Sequence, residues 1–198
     1  MATTPNYGWV TPDNTSFVKD GAQSIRTVSN SIDATSAGAN FAGLVLIKTQ
    51  TIGTAVSSVT VTGAFSTTYD AYKIVISGGA GSVNGAALTL VLGATVTNYN
   101  AVFNFTGYAA GGGLVRMSAD TKFSFVGASN VDGTSAEITL INPFLTKLTY
   151  ISAFYADTTN TGMSTGFQNS NNSHTAFTIS GATLTGGLIS VYGYRKAI

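Results

Sequence analysis

The chain has 198 residues, of which 44% are hydrophobic and only 9% are charged, against about 25% charged residues in an average soluble domain. Nine basic and eight acidic residues leave a formal net charge of +1, and without a basic run we expect no nucleic-acid binding. The absence of cysteine excludes disulfides and thiolate metal sites. Because no run of about 18 apolar residues occurs, we expect no membrane insertion.

Residues 1–12 are expected to form an irregular arm. Pro5 and Pro12 interrupt it, and it carries two aromatic residues, Tyr7 and Trp9, that so short a segment cannot bury by itself. Aromatic side chains supply much of the binding energy at protein interfaces. Tyr7 and Trp9 are therefore candidates for anchoring the chain to another protein, and the alternative is that they pack on the chain's own β-domain.

A seven-residue repeat predicts a short helix over residues 13–35. Its a positions are Val18, Ile25 and Ile32, and its d positions are Gly21, Val28 and Thr35. A helix of this length with an exposed apolar stripe is only marginally stable alone in water. We therefore expect it to associate in a two- or three-stranded bundle, with folding back onto its own domain as the alternative.

Small polar residues over 36–42 predict a linker, after which the sequence becomes strand-like. Ten runs rich in β-branched and aromatic residues lie between turn residues, at 44–51, 57–62, 72–77, 87–92, 122–126, 136–141, 148–155, 162–167, 175–179 and 188–194. Residues 93–121 are less regular, with weak strands expected near 102–105 and 114–117. Since no helical periodicity separates the runs, we expect an antiparallel, jelly-roll-like β-sandwich over 43–198.

The strand predicted over 148–155 is apolar on both faces. Leu148, Tyr150 and Phe154 lie on one face, and Ile151 and Tyr155 lie on the other. The outer face of an isolated sandwich should be polar. This pattern therefore predicts packing of the strand against a neighbouring copy of the chain.

The sequence offers little for catalysis. Glu137 is the only glutamate, and the four aspartates after residue 43 lie in predicted turns, so a catalytic carboxylate pair is not expected. His174 is the only histidine, and no nucleophile motif or ligand cluster accompanies it. We expect it on the surface beside a loop, and we expect no enzymatic activity, no metal and no cofactor.

The segment 160–175 is rich in amides and hydroxyl groups around Phe167. Such groups suit the hydroxyls and the apolar face of a neutral sugar, although they are also common in hairpin loops. The receptor-binding candidates are Asn169, Asn171, Asn172 and His174.

Two stretches resemble bacteriophage tail and fibre proteins. Residues 7–26 carry the pattern Y-G-W…P-D-x-T…V-x-D-G-A-x-x-I-R, and residues 187–193 carry a closing G-x-I-x-V-Y-G strand. The resemblance implies a virion component with an N-terminal arm bound to other virion proteins, a trimeric helix and a C-terminal jelly roll that projects outward. It transfers no catalytic residue.

The sequence therefore predicts a homotrimeric, non-enzymatic virion protein, assembled in the host cytoplasm. It would be a short fibre or tail-associated protein with an anchoring arm at 1–12, a trimerising helix at 13–35, a linker at 36–42 and a head at 43–198 that contacts host-surface glycan. The trimer interface would comprise Val18, Gly21, Ile25, Val28 and Ile32. The alternatives are a capsid decoration or head-fibre protein, a free carbohydrate-binding module, and a glycan-cleaving spike that would depend on Glu137.

Overall fold

The computed structural model describes residues 2–5, 8–11, 17–38 and 43–196. The chain divides into two compact units, Met1–Ala42 and Gly43–Ile198. The second unit thus begins where the strand-like pattern of the sequence begins. Tyr7, one of the two candidate anchors, lies outside the described residues, as does most of the predicted linker.

The N-terminal unit contains a β-ribbon and a helix. Strand β1 (Ala2–Thr3) pairs antiparallel with β2 (Val10–Thr11), so the arm is not irregular throughout as predicted. After a 3-10 turn at Val18–Asp20, helix α1 spans Gly21–Gly38. The helix continues past the predicted end at residue 35 and stops at a glycine, a residue that commonly terminates helices. The predicted start, at residues 13–16, lies outside the described residues.

The second unit is built from 13 strands. They are β3 (Leu44–Thr51), β4 (Val56–Val61), β5 (Ala71–Gly81), β6 (Ala86–Ala87), β7 (Thr89–Leu92), β8 (Tyr99–Gly107), β9 (Gly112–Asp120), β10 (Ala128–Asn130), β11 (Gly133–Ile141), β12 (Thr149–Ala156), β13 (Asn160–Gln168), β14 (Phe177–Thr185) and β15 (Leu188–Tyr194). All of their pairings are antiparallel. The prediction of a mainly β, antiparallel protein with one short helix is confirmed.

Eight strands form the main path of the sheet, in the order β3-β15-β5-β11-β12-β13-β8-β9. Strand β14 pairs with β4 and β7 and joins the end of β5 through Leu184 opposite Gly81. The predicted run 122–126 is not a strand and contributes only an isolated bridge from Phe123 to Leu90. By contrast, the irregular segment 93–121 supplies the full hairpin of β8 and β9.

One hydrophobic core joins the main path to the β14 branch. Tyr72 and Ile74 of β5 are fully buried, as is Phe177 of β14. The ring of Phe65 stacks on Phe177 at 5.6 Å between centroids and meets Tyr72 edge-on at 4.8 Å. Because inward and outward residues alternate along each strand, burial of one set leaves the other set on the opposite face of the sheet. We call that opposite face of the eight-stranded path the outer face.

Candidate binding surfaces

The a and d positions of the predicted heptad repeat differ in their exposure to solvent. The three a residues face solvent, with Val18 97%, Ile25 66% and Ile32 42% exposed, whereas the d residues Gly21, Val28 and Thr35 are half-buried. Strand β2 packs against α1. Within the N-terminal unit, the a residues therefore form an apolar stripe that no described segment covers.

Trp9 does not extend freely from the arm. Its indole Nε1–H donates a hydrogen bond to the hydroxyl of Thr35 at 3.1 Å, and its backbone N–H donates to the Thr4 hydroxyl at 3.0 Å. The turn between them is closed by the N–H of Gly8, which donates to the carbonyl of Thr4 at 3.0 Å. Trp9 is half-buried and contacts the helix of its own unit, and its role as an anchor to another protein stays a prediction.

The outer face of the sheet is unusually apolar. Its exposed large apolar side chains are Leu44, Leu46, Leu114, Ile141, Tyr150, Phe154, Met163, Leu188 and Tyr194. Antiparallel sheets normally carry polar residues on a face that meets water. Across the middle of this face, the Lys73 ammonium pairs with the Glu137 carboxylate at 2.6 Å, which raises the pKa of Lys73. Glu137 is thus committed to an ion pair on the face of the sheet.

Strand β12 has the two-sided character expected from its sequence. Ile151 and Tyr155 are buried on the core side, while Tyr150 and Phe154 on the outer face are 45% and 57% exposed. Phe154 lies opposite Met163 of β13, which extends the apolar surface across neighbouring strands. The alternation that identifies these residues is visible in the sequence, but their clustering depends on strand register.

His174 is not a surface residue, so the expectation that it lies on the surface beside a loop is wrong, and little of its imidazole is available for contact with a receptor. Its side chain is only 4% exposed, and burial lowers the pKa of the imidazole. The Nε2 atom is buried and has no hydrogen-bond partner among the residues that the structure describes. The polar neighbours suggested a loop tip, but the chain turns inward at this residue, and its N–H donates to the carbonyl of Pro143 at 2.9 Å.

The three candidate asparagines are exposed, and one of them contributes to a cleft. Asn171 lies in a cleft of about 380 Å³ that we call the Asn171 cleft, and its lining residues are Asn142, Thr146, Lys147, Leu148, Tyr150 and Asn171. Asn169 and Asn172 are not among them. The contributions of Asn142 and Lys147 were missed because they come from the β11–β12 connection, which pairing brings beside the segment 169–173.

A larger cleft of about 590 Å³ lies where β5, the β10–β11 turn and the β12–β13 turn meet. It contains Asp157, whose carboxylate accepts hydrogen bonds from the Tyr155 hydroxyl at 2.7 Å, from the N–H and hydroxyl of Thr159 and from the N–H of Asn160. Burial by itself would raise the pKa of the Asp157 carboxyl. The hydrogen bonds have the larger combined effect, and the pKa is lowered to about 2. A carboxylate so fully engaged holds the turn together and does not donate protons near neutral pH.

Ion pairing and metal binding add no further candidate site among the described residues. Asp70 pairs with the Lys196 ammonium at 2.8 Å. No group of three or more His, Cys, Asp or Glu side chains in the described ranges is placed to hold a metal ion. No helix within those ranges is long and apolar enough to span a membrane.

Comparison of the chain with protein-family models, curated proteins and solved structures finds no match.

Proposed function

We propose that this protein is a non-enzymatic structural component of a bacteriophage virion, a short fibre or tail-associated protein that assembles as a homotrimer and contributes to host attachment. In this arrangement the N-terminal unit binds other virion proteins and forms the trimer, and the β-domain, a jelly-roll-like sandwich, is the outward head. The resemblance of residues 7–26 and 187–193 to phage tail and fibre proteins supports the virion assignment.

The main support for the proposed trimer is the exposed stripe formed by Val18, Ile25 and Ile32. Ile25 and Ile32 lie seven residues apart on one side of α1, Val18 lies in the 3-10 turn that precedes it, and all three β-branched side chains remain exposed. Exposed apolar side chains at heptad spacing are stabilised when identical helices pack them together. Since Thr35 already bonds to Trp9, contact between copies is centred on the a positions and not on the complete a/d seam.

The outer face supports the same proposal from the second unit. Phe154 pairs with Met163 on the adjacent strand, Leu114 lies two strands further on beyond Asn104, and all three apolar side chains are exposed. Apolar patches of this kind mark interaction surfaces on soluble proteins. In the trimer, we place this part of the outer face against a neighbouring head.

Sedimentation equilibrium of the full chain tests the proposal directly. A trimer has a mass of three times 20.2 kDa, about 61 kDa, and we expect this species at micromolar protein concentration. A monomer under these conditions would contradict the proposal. Gold labelling of the protein on intact particles then tests the location, and labelling away from both tail and fibre would exclude a tail-associated role.

A capsid decoration or head-fibre protein is the second candidate, because the apolar outer face would equally suit contact with a capsid surface. Particles lacking this protein separate the two functions. Reduced adsorption to host cells with unchanged capsid stability favours host attachment, whereas capsids that open at lower temperature favour the cementing role.

A further inference from the structure

The Asn171 cleft combines three kinds of group on one surface. Tyr150 presents an aromatic ring that is 45% exposed, Asn142 and Asn171 present amides, and Lys147 presents an ammonium group. Its volume of about 380 Å³ falls within the range of about 300–1,000 Å³ that is usual for small-molecule sites. The cleft can therefore hold a single sugar unit together with part of its neighbour.

We propose that the Asn171 cleft binds a carboxylated sugar, such as a uronic or sialic acid residue, within a longer surface polysaccharide. This inference rests on the proposed role in host attachment and specifies the class of ligand. The Tyr150 ring packs on the apolar face of the sugar, the amides of Asn142 and Asn171 bond its hydroxyls, and the Lys147 ammonium pairs with its carboxylate.

The charge of the cleft is the reason for choosing an acidic sugar over a neutral one. Lys147 is the only charged residue of the lining, and its side chain has no acidic partner among the described residues. Lys73 and Lys196, by contrast, are paired with Glu137 and Asp70. A carboxylate would supply the missing partner, and a neutral sugar would not.

The Tyr150 ring is held in a defined environment. It lies 6.4 Å from the ring of Phe167 between centroids, at an interplanar angle of 53°, on the adjacent strand β13. Tyr150 is four residues from Phe154, about 13 Å along an extended strand. The cleft can therefore remain open while Phe154 packs against a neighbouring head.

The β11–β12 connection is fixed by its own backbone. The N–H of Asn142 donates to the carbonyl of Asp70 at 2.6 Å, that of Leu145 donates to Asn142 at 3.2 Å, and that of Lys147 donates to Leu145 at 2.8 Å. Asn142 also has a positive φ of 63°, a conformation that asparagine tolerates better than most residues. The backbone that carries Lys147 is thus set before a ligand binds.

The opposite wall is tied to this connection. The N–H of His174 donates to the carbonyl of Pro143 at 2.9 Å, and the Ser173 hydroxyl donates to the carbonyl of Phe144 at 2.5 Å. These bonds hold the segment that contains Asn171 against the β11–β12 connection. A pre-formed cleft loses less conformational entropy on binding, which favours affinity for a flexible polysaccharide.

Calorimetry on the full-length protein tests the inference with two matched ligands, a glucuronic-acid oligosaccharide and its carboxyl-reduced, neutral form. We expect the acidic form to bind about tenfold more tightly, the ratio typical of one added charge-assisted hydrogen bond. This preference should weaken as salt is raised. A sialylated oligosaccharide and a phosphate-linked glycan polymer complete the panel.

Variants at the cleft then assign the binding to Lys147. The Lys147→Gln change should remove the preference for the acidic form, Lys147→Arg should retain it, and Lys122→Gln, at a lysine outside the cleft, should behave as the wild type. Tyr150→Ala should weaken both the acidic and the neutral form, while Tyr150→Phe should preserve binding of both. Near-ultraviolet circular dichroism confirms that each variant is folded.

Three results would overturn the inference. They are equal affinity for the acidic and reduced oligosaccharides, no binding of any acidic sugar in the panel at millimolar concentration, and tight binding of the phosphate polymer alone. Because trimer formation and particle location are measured separately, a trimer on the virion that fails this experiment would overturn the ligand class alone. A monomer that still prefers the acidic form would overturn the trimer while leaving the cleft assignment intact.

Discussion

Replacing Ile25 with serine tests whether the helix stripe holds copies of the chain together. Full burial of an isoleucine side chain contributes about 2.5 kcal/mol, and 66% of the Ile25 surface remains available to a partner. The loss is then about 1.6 kcal/mol per chain and about 5 kcal/mol per trimer. Because about 1.4 kcal/mol corresponds to a tenfold change in an equilibrium constant, the trimer dissociation constant rises about 3,000-fold. Because that constant scales with the square of concentration, the midpoint concentration rises about 60-fold.

Sedimentation equilibrium over a dilution series measures the shift in this midpoint. Serine and isoleucine have similar helix propensities, so the Ile25→Ser change acts mainly through the lost apolar surface. Asn30→Ser is the matched control, because Asn30 is exposed on the other side of α1. An unchanged midpoint for Ile25→Ser, or an equal shift for both variants, would refute the assignment of the stripe as the trimer contact.

Three further predictions concern the β-domain. Asp157→Asn should lower the free energy of unfolding in urea by about 1 kcal/mol at neutral pH after allowance for solvent screening, with Asp132→Asn as the control. Because the pKa of Asp157 is lowered to about 2, the wild type should lose this contribution only as the pH falls from about 4 towards 2, and the variant should lack that acid-sensitive step. Burial lowers the pKa of His174 from its ordinary value of 6.5, so the unfolded state binds the proton more readily and urea stability should fall as the pH is lowered through about 6.5. His174→Asn should remove this component, and an unchanged pH profile would contradict the assignment. A Cβ atom on Gly193 would lie 2.5 Å from the Tyr69 ring, so Gly193→Ala should cost about 1–3 kcal/mol in thermal unfolding, and less when Tyr69 is already alanine.

The coarse organisation was predictable because it depends on local periodicity. The heptad spacing of Val18, Ile25 and Ile32 identified the helix, and the change to short β-branched runs identified the antiparallel β-domain. Alternation along 148–155 also placed Tyr150 and Phe154 on one face and Ile151 and Tyr155 on the other, although it did not show which face meets the core. These features follow from the geometry of one element and do not require knowledge of its neighbours.

The features that were missed depend on pairing between distant segments. Nothing near His174 in the sequence shows that the chain turns inward there, because its backbone bonds to Pro143 in the β11–β12 connection and its imidazole lies beside Gly93, which follows β7. The Asn171 cleft likewise requires residues 142–150 and Asn171 to meet across the sheet. The acceptor role of Asp157 was visible in part, since aspartate is common in turns, but its bond from Tyr155 depends on the hairpin geometry.

The sheet edges indicate how copies of the β-domain can meet. Strand β3 lies at one end of the main path, where the Lys48 ammonium bonds the carbonyl of Thr62 at 2.7 Å and a register shift interrupts pairing at Val191 and Tyr192. Charged residues and bulges on an edge strand oppose the addition of another strand. The outer face presents exposed apolar side chains around the central Lys73–Glu137 ion pair, whose charges are already paired with each other. Contact through the apolar part of the outer face is therefore favoured over pairing at the β3 edge, and in the proposed trimer this face would meet a different surface of the neighbouring head, because a three-fold interface joins unlike patches.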